Sequence, residues 1–281
     1  MLNRLFPEIV KVIKDIEYGV AAGESLKLDL YLPSTQKPAP LIMFIHGGAW
    51  QGGDKSNSVF WAERFAGYGY AIAAINYRLL PNHLFPAQVH DCKTAVRWLK
   101  NNAEKYGYNP DKIGAYGSSA GGHLASMLGV TNGIKELEPN SSAEGPLDAI
   151  QAVCNQYGPS DLVSVPWDSF VGGPVSECRR EAELASPVFH ANSQSAPFLI
   201  MHGTADNIVP LSQSELFHDA LIGAGAESTL HVFEGAGHGF KGRETIVLKL
   251  MDDFFAFHLL GETRPSAYVA KRVYYHNYQP D

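Results

Sequence analysis

The six residues Gly117-Ser118-Ser119-Ala120-Gly121-Gly122 constrain the fold more than any other stretch of the chain. They lie between Lys112-Ile113-Gly114-Ala115-Tyr116, which reads as a short buried strand, and Ala120 to Val130, which is rich in helix formers. Gly-x-Ser-x-Gly at such a junction is the pattern of a nucleophile elbow: a sharp, strained turn exposes the serine, and side chains at the flanking positions would collide with neighbouring backbone. Centring the pattern on Ser119 puts Gly117 and Gly121 at the flanks. Centring it on Ser118 would need glycines where Tyr116 and Ala120 stand. Ser119 is therefore the candidate nucleophile.

A serine on a strand end needs a sheet around it, and the chain supplies one by repeated β-then-α units. Leu26, Leu28, Leu30 and Leu32 alternate with Lys27, Asp29 and Tyr31, so the stretch from about Ile9 to Leu32 reads as an antiparallel edge with one buried face. Leu41 to Ile45, Tyr70 to Asn76, Lys112 to Tyr116, Ala149 to Tyr157, Pro197 to Met201 and Ser228 to Phe233 are short apolar runs of the kind expected where both faces are covered. Helices are predicted over Val59 to Gly67, Pro86 to about Tyr106, Ala120 to Val130, Ser212 to Gly223 and Glu244 to Leu260, with Asn109-Pro110-Asp111 breaking the chain before the elbow strand. Val89, Cys92, Val96, Leu99 and Ala103 give one of these helices an apolar stripe, beside which Trp98 is assigned to packing. The expected architecture is α/β: a doubly wound, mostly parallel sheet in one domain spanning 1–281. With 281 residues, 45% of them hydrophobic, a core of that size is within reach. Residues 131–147 read as a surface excursion, 158–194 as a small lid, and 261–281 as a tail rich in Tyr (Tyr268, Tyr274, Tyr275, Tyr278) that packs on the body or on a second copy in a homodimer.

The formal charge is −7 with no sustained basic run, so nothing recommends nucleic acid or an anionic membrane as partner. Pro7, Glu8 and Lys11 interrupt the amino terminus before a long apolar segment develops, and the chain reads as cytoplasmic. Cys92, Cys154 and Cys178 have no paired spacing, which argues against a disulfide framework and a zinc site.

A serine hydroxyl needs a base within reach and a third group to orient that base. Of the eleven histidines, His238 follows the last strand in the glycine-rich loop Gly235-Ala236-Gly237-His238-Gly239; His202, His218, His231 and His258 fall in or at the ends of predicted elements and read as packed or solvated. Asp206 follows the preceding strand and fits the chain order Ser, Asp, His. Asp161, Asp252 and Asp253 are rivals in a loop and in the last helix. His46-Gly47-Gly48-Ala49-Trp50 directly follows an apolar run, and its glycines leave backbone N–H groups free to face a ligand.

Together, His46-Gly47-Gly48-Ala49-Trp50, Gly117 to Ala125, His202-Gly203-Thr204-Ala205-Asp206 and Gly235 to Phe240 resemble bacterial α/β-hydrolase serine esterases of the hormone-sensitive-lipase group, and more closely its feruloyl and acetyl-xylan esterase branch. Asn76-Tyr77-Arg78-Leu79, Phe85-Pro86-Ala87 with Asp91, and Tyr157 to Leu162 extend the match. The resemblance implies acyl-enzyme hydrolysis of a small-molecule ester by Ser119, His238 and Asp206, with oxyanion donors at the N–H groups of Gly47, Gly48 and Ala120, and no metal or organic cofactor. Ala49 stands where the wider group usually has a third glycine and Ser118 where it has Asp, and the amino-terminal stretch is too short and too strand-like for that group's cap; these departures favour the feruloyl and acetyl-xylan branch and argue against lipase activity on long chains. By spacing and analogy, Trp50, Trp167 and Phe170 are expected to wall a short pocket that takes small acyl groups. A kynurenine-formamidase-like amidase and a non-catalytic interaction protein on the same fold remain open as alternatives.

Overall fold

In the computed structural model, which describes residues 10–139, 148–263 and 272–276, the strands β1 (Val10–Ala21) and β2 (Glu24–Pro33) form a hairpin. Its turn has Ala22 at φ 51° and Gly23 at φ 80°, the paired left-handed residues of a type I′ turn, whose twist matches that of the flanking strands. Seven more strands follow: β3 (Ala39–Ile45), β4 (Ala71–Ile75), β5 (Tyr108–Ser118), β6 (Ala152–Gln156), β7 (Phe198–Gly203), β8 (Ser228–Phe233) and β9 (Arg272–Tyr275). The helices are α1 (Val59–Gly67), α2 (Ala87–Asn101), α3 (Ala103–Tyr106), α4 (Ala120–Val130), α5 (Asp168–Val171), α6 (Arg179–Leu184), α7 (Leu211–Gly223) and α8 (Glu244–Phe255). Among the described residues none is long and apolar enough to cross a membrane.

The strands join in one sheet in the order β1-β2-β4-β3-β5-β6-β7-β8-β9, antiparallel at β1–β2 and β2–β4 and parallel elsewhere. After β3 the chain moves to one side for β4, then crosses back to lay β5 on the other side. The carboxyl ends of β3 and β5 therefore border the point where strand order reverses, the place where ligands settle on open α/β sheets. His46-Gly47-Gly48 leaves one of these ends and Ser118-Ser119 the other.

Side chains on β3 divide between two cores: Leu41, Met43 and Ile45 join one cluster with α2 and α4, while Ile42 and Phe44 join Phe65 of α1 and Phe254 of α8 on the opposite face. That division is the strand's period of two with both faces covered, and it explains the unbroken apolar run. On β2 the expected exposed face is lost after Leu28. Asp29 and Tyr31 are buried because β2 lies inside the sheet, between β1 and β4, and its second face is covered by the α1 side. Asp29 is stabilised there by Lys55 Nζ at 2.9 Å and by the N–H of Asp15 at 2.8 Å.

Three expectations needed revision. The stretch Asn109-Pro110-Asp111 does not end before the elbow strand but belongs to β5, tolerated at an irregularity in the β3–β5 register between Ala39 and Leu41. The helix predicted over Glu244 to Leu260 closes as a π-helical turn at Ala256–Leu260. Part of the tail is a strand: β9 extends the sheet beside β8, with the Tyr275 ring stacked on Phe233 at 4.8 Å and its hydroxyl 2.9 Å from His231 Nδ1. Tyr268, Tyr278 and the excursion residues 140–147 lie outside the described residues. The segment 158–194, read as a lid, carries α5 and α6 and packs Phe170, Val171, Ala182 and Ala185 into the α2–α4 core.

Candidate active site

Ser119 has φ 54° and ψ −124°, a conformation costly for a side-chain-bearing residue and stored where surrounding structure imposes it. The imposition comes from glycine contacts. A Cβ at Gly117 would stand 2.1 Å from the carbonyl oxygen of Gly121, and one at Gly121 would stand 2.1 Å from that of Ile45. The N–H of Ser119 donates to the Gln156 carbonyl at 2.9 Å, tying the turn to β6. A Cβ at Gly47 would come within 3.4 Å of Ser119 Cβ, so the loop after β3 passes directly over the elbow. Among the described residues, no hydrogen bond engages the N–H groups of Gly47, Gly48 or Ala120.

The loop after β3 is itself held in place. His46 is buried, its ring stacked on Tyr77 at 4.3 Å, and the Tyr77 hydroxyl donates to the His46 carbonyl at 2.9 Å. Further along, Arg78 grips the buried Asp91 of α2 through Nε and Nη2, the latter at 2.6 Å, which fixes the Asn76-Tyr77-Arg78-Leu79 strand exit to that helix.

Asp206 and His238 meet: His238 Nδ1 lies 2.7 Å from Asp206 Oδ2, and the carboxylate is fully buried. The other oxygen, Oδ1, accepts the N–H groups of Ile208 and Val209, each at 2.9 Å. Burial alone would raise this carboxyl. Hydrogen bonds from His202, Val209, Ile208 and His238 outweigh it and hold the group well below the usual carboxylate range. An ionised, fully bonded carboxylate keeps the proton on His238 Nδ1 and leaves Nε2 free to accept one. Among the described residues no hydrogen bond joins Ser119 to His238; such contacts are often long before substrate binds.

Two further residues border this pair, of which His202 reads from sequence as packed or solvated. His202, buried at the end of β7, brings Nε2 to 3.3 Å from Asp206 Oδ2 and 2.9 Å from the Val209 carbonyl, while Nδ1 meets Ser214 Oγ at 2.7 Å. Nε2 therefore carries the proton and Nδ1 accepts from the serine hydroxyl. The four-residue spacing of His202 and Asp206 was its visible trace. Tyr157, with φ 43°, places its ring 4.6 Å from that of His238. Burial pushes the Tyr157 phenol up to about 12.

The rivals fall elsewhere. Asp161 Oδ1 accepts the N–H groups of Val163 and Ser164, a local turn cap. Asp252 bonds Tyr70 Oη at 3.2 Å and Asp253 pairs with Lys249 on α8. Trp50 and Phe170 are a correction: at 1% and 0% exposure, stacked on each other at 4.1 Å, they leave no face for a substrate. Trp167 is only partly buried, but its ring packs edge-on against Trp50 at 5.3 Å. The cavity that adjoins the elbow lies on the other side. It measures about 250 Å³ and touches the site through Gly47, Ser118 and Tyr157, with Trp61, Phe240 and Glu244 among its walls; Ser119, Asp206 and His238 do not line it. Among the described residues, no group of three or more His, Cys, Asp or Glu side chains is arranged to hold a metal ion.

The BD-FAE family model matches residues 28–221, more than half of the chain, including Ser119 and Asp206 and ending before His238. The chain belongs to the BD-FAE family. Esterase LipC of Mycobacterium tuberculosis is 32% identical over 217 residues, 73% of this chain and 54% of its own length, so the chain spans about half of that relative. A truncated carbohydrate esterase from gut microbiota superposes with a TM-score of 0.74 at 31% identity, covering 92% of this chain and 98% of the other. The propionate-bound esterase Est2 of the planctomycete Thermogutta terrifontis gives a TM-score of 0.76 at 30% identity, covering 94% and 98%. BD-FAE membership and these likenesses agree with the α/β-hydrolase sheet described above.

Proposed function

We propose that the chain is a serine carboxylester hydrolase that works through an acyl-enzyme, with Ser119 as nucleophile, His238 as base and then acid, and Asp206 as its orienter. The observation that carries this reading is the His238–Asp206 bond at 2.7 Å together with an elbow serine at φ 54°, both in loops at carboxyl ends of strands of the same sheet. Attack by Ser119 Oγ on an ester carbonyl sends the hydroxyl proton to His238 Nε2. The negative charge on the former carbonyl oxygen falls to the N–H groups of Gly47, Gly48 and Ala120, which have no competing partner among the described residues. His238 then returns the proton to the departing alcohol, and water repeats the sequence on the acyl-enzyme.

The substrate is proposed to be a short-acyl or aryl or sugar ester, one half of which enters the 250 Å³ cavity beside Gly47 and Ser118. A carbohydrate esterase and a propionate-bound esterase among the solved likenesses support that class, and the esterase names of the relatives favour esters over formamides. Ser119→Ala should lower kcat on p-nitrophenyl acetate by on the order of a millionfold. It should also abolish covalent labelling by an organophosphonate. Retained turnover in Ser119→Ala, with loss in Ser118→Ala, would overturn the assignment of the nucleophile.

A further inference from the structure

We propose that Trp50, Trp167 and Phe170 are positioning residues for the oxyanion donors: they form an aromatic cage, closed by His123, that holds the loop after β3 in its left-handed path. The segment 158–194 then buttresses the reaction centre. This inference rests on the ester-hydrolase reading above.

Three consecutive residues of that loop have positive φ: Gly48 at 116°, Ala49 at 51° and Trp50 at 57°. Residues with a Cβ rarely adopt this region, and two in succession persist only where the surroundings impose them. Within the loop, the Gly48 carbonyl accepts the N–H groups of Gln51 and Gly52 at 3.0 and 3.1 Å. Outside it, the N–H of Leu80 donates to the Trp50 carbonyl at 2.8 Å. The remaining hold is the side chain. The Trp50 indole stacks on Phe170 at 4.1 Å and meets Trp167 and His123 edge-on at 5.3 and 5.1 Å. Phe170 also meets His123 at 5.4 Å, and its carbonyl accepts the N–H of Phe85 at 3.0 Å. His123, on the elbow helix α4, donates through Nε2 to the Ala185 carbonyl at 2.7 Å. One cage therefore joins the oxyanion loop, the elbow helix and both halves of the 158–194 segment.

Trp50 is two residues from Gly48, so a change in its backbone angles swings the Gly47 and Gly48 N–H groups. Those donors serve a charge that exists only after attack, so misplacing them slows chemistry and leaves ground-state binding almost untouched. The experiment compares wild type with Phe170→Leu and with the milder Trp167→Phe, which keeps a ring. Active sites are titrated with an organophosphonate, and kcat and KM for p-nitrophenyl acetate are measured per titrated site. Expected is a fall in kcat of about tenfold for Phe170→Leu and a smaller one for Trp167→Phe, with KM within about twofold, since removing a whole donor costs about a hundred- to a thousandfold. Affinity for a trifluoromethyl ketone, whose adduct carries the oxyanion, should fall in parallel with kcat. A raised KM with unchanged kcat would mean that the rings wall the pocket, and unchanged constants in both variants would mean that the cage does not set the loop; either overturns the proposal. If Phe170→Leu yields no folded protein, Trp167→Phe decides alone. An inert, unlabelled wild type sinks the hydrolase reading and this one together, whereas an active wild type with unaltered variants sinks this one alone.

Discussion

His123 is fully buried on α4, its Nε2 donating to the Ala185 carbonyl, and burial pushes its imidazole down to about 4. In the unfolded chain the same group takes its proton near 6.5. Between these values the unfolded state binds more protons than the folded one, so stability rises with pH across that window. The contribution is complete above about pH 6.5 and is lost as pH falls toward 4; it is worth at most about 3 kcal/mol. In His123→Gln, whose amide can still donate to the same carbonyl, the drop in Tm between pH 7 and pH 4.5 should be smaller than in wild type. Parallel Tm curves for the two proteins would assign that pH dependence to another group. Burial likewise raises the thiols of Cys92 and Cys154. A buried thiol held protonated in this way is a poor nucleophile.

β9 is a four-residue strand, yet it covers one edge of the sheet at β8. Its hold comes from Tyr275, which stacks on Phe233 and shares a hydrogen bond with His231. Tyr275→Phe should cost about 1 kcal/mol, the worth of one hydrogen bond, and Tyr275→Ala about 3 kcal/mol or more, since the stacked ring goes too. Urea unfolding of both variants checks the order; equal losses would show that the ring adds nothing beyond the hydroxyl. Within the sheet, a different element sets the spacing. Gly129 on α4 lets the helix approach β6 and β7, because a Cβ there would come within 2.6 Å of the Phe198 ring and 2.8 Å of Val153.

Across the whole molecule, Gly47 and Gly48, Ser119, Asp206 and His238 follow the carboxyl ends of β3, β5, β7 and β8, the positions proposed above for donors, nucleophile, orienter and base, and the cavity beside the elbow is small. About 250 Å³ leaves room for a short acyl chain or one ring. The ratio kcat/KM for p-nitrophenyl esters should be highest from acetyl to butyryl and fall by about tenfold or more at octanoyl, because methylenes left outside forfeit roughly 1–3 kcal/mol each. Equal or faster turnover of the decanoyl ester would contradict a short compartment. Two of the three rings placed in the wall from sequence are interior, and the cavity that touches Gly47 and Ser118 is bounded by Trp61, Tyr157 and Phe240 instead.

What could be read from the chain alone was whatever depends on neighbours in sequence. Gly117, Ser119 and Gly121 sit within one turn, where steric exclusion by adjacent backbone dictates residue type, and the elbow was legible for that reason. The apolar runs marked the parallel strands, because strands covered on both faces favour apolar residues along their whole length. Pairings between distant segments had no such trace. Whether Trp50 faces a pocket or a core depends on Phe170, 120 positions away, and an aromatic ring satisfies either setting. His202 looked like any buried histidine until the turn after β7 brought Asp206 back against it. β9 was too short to announce itself although Val273, Tyr274 and Tyr275 are strand formers, and it is held beside β8 with Phe233 and His231 against Tyr275. Local sterics write themselves into residue type at fixed spacing; the direction in which a large ring or a buried polar group turns is settled only when the partner segment arrives.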